Sequence, residues 1–207
     1  WTRRQAMTNE IMTKHLDKLL GVILCGGESK RMGSDKGLLE KNGQAWVKII
    51  AGKLVSLNIP VVVSINEQQS ESYSRLFPPN ELIVDNIDIQ GPLKGLLSVH
   101  QVYPDKDILL MACDIIDMDD RTLTHLVDQY NSLAFEFFVY QENYAEPFCA
   151  IYTSRGLKPV LEKARNHSLS RFSFQMILDN GKTLRIPITT KSSFRNYNTI
   201  PGHHREL

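Results

Sequence analysis

The stretch LLGVILCGGESKRMGSDKGLLE, Leu19 to Glu40, decides how this chain is read. Leu19–Cys25 is a short apolar run interrupted only by Gly21 and closed by a glycine pair, the pattern of a buried strand. The turn that follows carries Lys30, Arg31 and Lys36. Cations on a glycine-rich turn directly after a buried strand point to a phosphate-bearing ligand. Gly26 and Gly27 can let the backbone pass close to a phosphate and present N–H groups to it. Arg31 offers a planar fork for phosphate oxygens and Lys36 a mobile point charge. The alternative is a surface turn with solvated charges; the place after the first strand favours the ligand. The turn is neither a Walker loop nor a dinucleotide G-x-G-x-x-G.

Outward from this stretch the chain alternates. AWVKIIAGKLVSLN predicts a helix, with Trp46, Ile49, Ile50, Leu54 and Leu57 at helical spacing. VVVSI and ELIV predict strands, PLKGLLSVHQVY a helix, DILLMAC (Asp107–Cys113) a fourth buried strand and DRTLTHLVDQY a helix. This is an α/β, Rossmann-like, mostly parallel sheet with helices on both faces. From about residue 135, FEFFVY and EPFCAIY read as consecutive strands, so a smaller mixed or antiparallel part is expected towards the C-terminal half. Helical GLKPVLEKARNH and LSRFSFQMILDN and strand-like TLRIPI follow. Residues 1–18 are read as a polar lead-in, irregular or helical, and 19–207 as one domain.

In such sheets ligands bind outside the carboxyl ends of the strands. That rule gathers Gly26–Lys36, Ser64–Asn66, Asp85–Gly95 and Asp114–Asp120 into one crevice. Asp114 ends an otherwise apolar strand and suits Mg²⁺, which takes oxygen ligands and keeps waters and substrate phosphates. Its competing role is a helix cap, but Asp119 and Asp120 lie nearer the helix. Asp117 could assist the metal, but solvent exposure is the expected state. Asp85, directly after the third strand, can meet a base edge or ribose, and Gly91 and Gly95 frame a turn into a helix.

Bulk composition narrows the class. With 24 Lys and Arg against 23 Asp and Glu, the net charge of +1 argues against a dedicated nucleic-acid binder. No apolar run approaches the roughly 20 residues of a membrane span, and the polar N-terminus carries no secretory signal pattern. The chain begins at Trp1 and not Met, the expected mark of a fragment or a processed chain. Three scattered cysteines imply reduced thiols and a cytoplasmic setting. The histidines fit no metal spacing, and no Ser/His/Asp or Cys/His set stands out.

LCGGESKRMGSDKGLL resembles the signature L-x-G-G-x-S-x-R-M-G-x-D-K of the molybdenum cofactor guanylyltransferases, nucleotidyltransferases with a Rossmann-like fold. DNIDIQGPLKGLLSV, LLMACD, EPFCAIY and NYNT follow in the family's order. The resemblance implies transfer of GMP from GTP to molybdopterin with Mg²⁺, releasing pyrophosphate. By position it implies that Leu24, Cys25 and Gly26 line the nucleotide, with Gly27, Arg31 and Lys36 on its phosphates. It places Asp85 on the guanosine side, Asp114 on Mg²⁺, and Asn196 and Asn198 on the pterin side; Ser64, on the base-side strand, and Gly91, in the turn after Asp85, are read as further nucleotide-binding residues. Arg31, Lys36 and Asp114 would then carry catalysis. It also implies transient contact with cofactor-biosynthesis proteins or acceptor enzymes. Three departures stand out: Ile115 and Ile116 replace a proline usual after the metal aspartate, Ser64 stands where Asn is frequent, and Ile200-Pro201-Gly202 follows NYNT. The rival readings are a CTP-using transferase, another nucleotidyltransferase acting on a phosphorylated small molecule, or a non-catalytic nucleotide-binding domain.

Overall fold

Leu19–Leu24 forms the central strand β1, with every residue buried. The computed structural model describes residues 16–26, 35–130, 133–168 and 173–197. Alternate residues of β1 serve opposite faces of the sheet, as strand geometry requires. Leu19, Ile23 and Cys25 join the apolar layer of one face, and Leu20, Val22 and Leu24 join that of the other.

The strands after β1 are β2 (Glu40–Lys41), β3 (Gln44–Ala45), β4 (Val61–Ile65), β5 (Leu82–Val84), β6 (Asp107–Ala112), β7 (Phe137–Gln141), β8 (Ala145–Tyr152) and β9 (Thr183–Pro187). Seven of them make one sheet in the order β5-β4-β1-β6-β8-β7-β9. β1 pairs in parallel with β4 and β6, and β4 with β5. β8 runs antiparallel to both β6 and β7, and β9 is parallel to β7. The mixed part expected after residue 135 is therefore an extension of the same sheet, reversed at β8.

The helices cover both faces as predicted. α1 (Trp46–Ser56) and the short α2 (Ser70–Ser74) lie on the Leu19/Ile23 face. α3 (Leu93–Val102) packs on the Leu20/Val22 face. α4 (Asp120–Gln129) is on the first face; α5 (Ser154–Arg165) and α6 (Phe174–Asn180) are on the second. α1 ends where Asn58 takes a left-handed φ of 58°, a conformation Asn tolerates after a helix, two residues before Pro60. Of the helix expected in LSRFSFQMILDN, residues 169–172 lie outside the described residues, as does 1–15 of the lead-in.

The β2–β3 hairpin is an addition to the expected elements. Asn42 and Gly43 both have positive φ, 54° and 75°, as a two-residue I′ turn requires. The hairpin returns the chain from the glycine-rich turn to the start of α1, where Trp46 N–H donates to Leu39 O at 2.8 Å.

Candidate active site

The carboxyl ends of β1, β4, β5 and β6 come together, and with them the described parts of the segments the crevice rule gathered. Cys25 N–H and Gly26 N–H both donate to Ser64 O, at 2.9 and 3.0 Å, which carries the β1–β4 pairing one step past the strand. Leu24 and Cys25 are buried in the floor. Burial pushes the Cys25 thiol well above its ordinary value, so it lines the crevice as a neutral group and not as a nucleophile. Gly27 and Arg31 lie outside the described residues.

The far end of the glycine-rich turn is held by residues that sequence reasoning missed. Asp35 Oδ1 accepts from Gly37 N–H at 3.0 Å and from the Tyr73 hydroxyl at 2.9 Å. Its other oxygen accepts from Gln69 Nε2, which also donates to Cys25 O at 3.0 Å. Gln69 is fixed in turn by a reciprocal capping box with Asn66. Tyr73 is fully buried, and a Cβ at Gly37 would stand 2.2 Å from its hydroxyl oxygen. Both ends of the turn are therefore pinned through Gln69, although Gln69 and Tyr73 lie far along the chain in an unremarkable polar stretch. Asp35 sits inside the signature, and its place one residue before a helical turn was the available signal.

On the neighbouring strand ends, Ser64 Oγ donates to Asp85 Oδ1 at 2.7 Å, and Ser64 is fully buried. Burial raises the Asp85 carboxyl to about 6, against the lowering effects of the Ser64 hydrogen bond and the Lys94 charge. Two glycines enclose this pair. A Cβ at Gly26 would come within 2.5 Å of Asp85 Oδ2, and one at Gly95 within 2.4 Å of Ser64 Oγ. Gly91 is exposed, with φ of 81°, and serves the turn into α3.

Lys36 Nζ lies 3.0 Å from Asp114 Oδ2 at the end of β6, with both side chains partly exposed. Asp114 does not cap the next helix: Asp119 does, accepting from Thr122 N–H at 2.7 Å. Asp117, expected to be solvent-exposed, is instead half-buried and bonded to Lys41 and to the Tyr197 hydroxyl. Burial pushes its carboxyl up, but Tyr197 and Lys41 outweigh this and hold it below its usual value. Asn196 is exposed and adjacent to this cluster through Tyr197, whose N–H donates to Asp114 O at 3.4 Å. Asn198 lies outside the described residues.

Among the described residues no group of three or more His, Cys, Asp or Glu could hold a metal ion. A fully protein-bound site is thus not offered by them. A single carboxylate such as Asp114 is compatible with Mg²⁺, which is commonly held by one or two carboxylates with waters and substrate phosphates. One of its oxygens is paired with Lys36, and the side chain is open enough for a ligand to reach.

A family profile described as the MobA-like NTP transferase domain matches residues 21–179. The chain belongs to this family. It is a nucleotidyltransferase. It is 27% identical over 187 residues to a "Probable molybdenum cofactor guanylyltransferase" of Trichormus variabilis, covering 89% of this chain and 88% of that one. It is 29% identical over 153 residues to a "Molybdenum cofactor biosynthesis bifunctional protein" of Synechocystis sp., covering 73% of this chain but only 43% of that longer protein. In fold it is similar to the crystal structure of molybdopterin-guanine dinucleotide biosynthesis protein A from Archaeoglobus fulgidus. That likeness has a TM-score of 0.71 at 21% identity, covering 87% of this chain and 92% of that one. No helix among the described residues of the MobA-like transferase is long and apolar enough to cross a membrane.

Proposed function

We propose that this MobA-like transferase moves GMP from GTP to the phosphate of molybdopterin and releases pyrophosphate. The observation that carries the reading is the meeting of Lys36 and Asp114 past the end of β6, two strands along the same carboxyl edge from the enclosed Ser64–Asp85 pair. A cation, a metal-competent carboxylate and a hydrogen-bonding carboxylate thus share one crevice. The printed names of the relatives supply the nucleotide and the acceptor.

In this reading Leu24, Cys25 and Gly26 line the nucleoside, and Asp85, oriented by Ser64, accepts hydrogen bonds from the guanosine. Gly91 shapes the entry to α3. Gly27, Arg31 and Lys36 meet the phosphates. Asn196 and Asn198 face the pterin acceptor. An oxygen of the acceptor phosphate attacks the α-phosphorus; the new P–O bond forms as the bond to the β-phosphate breaks, and pyrophosphate leaves with its electron pair. The attacking oxygen is already anionic, so no general base is required. Lys36 and Arg31 stabilise charge gathering on the phosphate oxygens and on the leaving group. Mg²⁺ on Asp114 would supply further charge neutralisation to the phosphates.

Residues 19–207 act here as one nucleotidyltransferase domain, a reading supported by the single sheet that runs from Leu19 to Pro187. A cytoplasmic setting is supported by three free, buried cysteines. The product is handed on through transient contact with cofactor-biosynthesis proteins or acceptor enzymes.

The test is incubation with GTP, CTP, ATP or UTP, Mg²⁺ and molybdopterin, following pyrophosphate. Release with GTP alone is expected. Preference for CTP would make the protein a cytidylyltransferase, and no release with any nucleotide would remove the catalytic reading.

A further inference from the structure

The stretch from Lys191 to Tyr197 closes over the loop after β6 and is tied to it at successive points. The Ser193 hydroxyl donates to Asp119, the residue that caps α4. Tyr197 N–H donates to Asp114 O, and the Tyr197 hydroxyl donates to Asp117 Oδ2. Asp117 Oδ1 is taken by Lys41 Nζ at 2.9 Å, from strand β2 of the small hairpin. The Tyr197 ring rests at 6.1 Å, tilted, against the fully buried Trp46 that begins α1. Asp117 thus uses one oxygen for the hairpin and the other for the C-terminal segment. It stands three residues beyond Asp114, and Asn196 directly precedes the residue it holds.

We propose that Asp117 is a positioning residue for the acceptor: with Lys41 and Tyr197 it clamps the C-terminal segment onto the loop of Asp114. This inference rests on the acceptor-side reading of Asn196 given above. The clamp fixes Asn196 relative to Asp114, so that the acceptor's binding surface is set before the acceptor arrives. Preorganising a binding segment lowers the ordering cost of binding and so raises affinity. An ordinary surface ion pair contributes little and has no reason to discriminate between two substrates. The third partner separates the two cases. Tyr197 adds a hydroxyl and a packed ring to the pair, so three elements distant in sequence depend on one carboxylate.

The experiment compares Asp117→Ala, Asp117→Asn and Tyr197→Phe with the unaltered protein in three measurements. These are titration with GTP and Mg²⁺, steady-state kinetics with molybdopterin varied, and the rate of tryptic cleavage after Arg195. Asp117→Ala should raise KM for the acceptor about tenfold, leaving kcat and GTP affinity within about twofold. Asn retains an oxygen that can accept from Tyr197, so Asp117→Asn should recover much of the loss, and Tyr197→Phe should show an intermediate rise. Cleavage after Arg195 should quicken most in Asp117→Ala. An unchanged acceptor KM, or a parallel loss of GTP affinity, would overturn the proposal. If the unaltered protein uses another phosphorylated acceptor, the functional reading fails while the clamp is judged by that acceptor's KM. The tryptic rate needs no substrate, and a rate equal in all variants overturns the clamp in every case.

Discussion

Lys36 Nζ and Asp114 Oδ2 meet at 3.0 Å, joining the end of the glycine-rich turn to the end of β6 across 78 residues of chain. Neither charge is deeply buried: 24% of the Lys36 side chain and 17% of that of Asp114 remain accessible. Such a pair contributes little to stability. In the proposed function it keeps a cation and an anion in place for a ligand that carries both phosphate and metal, which would give each of them a new partner. The two residues are therefore expected to matter for turnover and hardly at all for folding.

Lys36→Ala should lower turnover on the order of 10²-fold, the size expected when one preorganised cation is taken from developing phosphate charge. Pyrophosphate release at saturating GTP measures it. Turnover within about twofold of the parent would remove Lys36 from the chemistry.

Asp114→Asn keeps the size and one oxygen but loses the charge that suits Mg²⁺. Transfer should almost vanish, and the rise in unfolding temperature produced by GTP with Mg²⁺ should shrink. The ligand-free unfolding temperature should stay close to the parent's, because α4 is capped by Asp119. Near-normal transfer would place the metal elsewhere.

The raised carboxyl of Asp85 makes two opposite pH dependences. In the folded chain it titrates at about 6, above its ordinary value, because burial disfavours the charged form. The folded state then binds more protons than the unfolded state between those two values. Its contribution to stability is fully present below the unfolded value and is lost as pH rises through about 6. GTP affinity should move the other way, rising through that window as Asp85 becomes a full acceptor. Ser64→Ala deletes a hydrogen bond that lowers the Asp85 value, so the midpoint of GTP affinity against pH should shift upward. An unmoved midpoint would show that another group governs it.

Gly95→Ala would place a Cβ 2.4 Å from Ser64 Oγ and 2.8 Å from Leu24 Cδ2. Both neighbours are buried, and Ser64 is held by Asp85, so the strain should cost about 1–3 kcal/mol, read from the denaturation midpoint. GTP affinity should fall with it, since the carboxylate moves when Ser64 does. Full stability together with full affinity would show that the site yields more easily than its geometry implies.

The parallel sheet, its two covering layers and the strand-end crevice were legible because they rest on local patterns. Apolar runs of strand length, helical spacing between them and polar residues at their ends are all written into neighbouring residues. Lys36, Asp85 and Asp114 stood out for the same reason. What stayed hidden is non-local. Nothing in EQQSESYS announces that Gln69 and Tyr73 will support Asp35, because that bond depends on β4 delivering the chain beside the turn. Asp117 was misread as solvent-exposed because its partners, Lys41 and Tyr197, come from opposite ends of the described chain. The mixed or antiparallel part after residue 135 was expected, but FEFFVY and EPFCAIY do not say which neighbours they choose, so the place of β8 between β6 and β7 was not legible. The Asn42-Gly43 turn, by contrast, was a plain local signal that went unread.

Strand β6 has an aspartate at its start and another just past its finish, and the two have unlike surroundings. Asp107 at its start is fully buried, accepting from the Tyr130 hydroxyl and, at 2.7 Å, from Ser154 N–H, with Lys18 at 3.4 Å. Asp114 lies just past its finish. At about 3.3 Å per residue the separation is about 23 Å. The rim that locks the scaffold is remote from the rim that would host chemistry. The usual conflict between robustness and turnover is therefore relaxed here by sheer distance. Hardening the molecule around Asp107, Tyr130 and Ser154 gives protein engineers room to work without retuning the reactive rim.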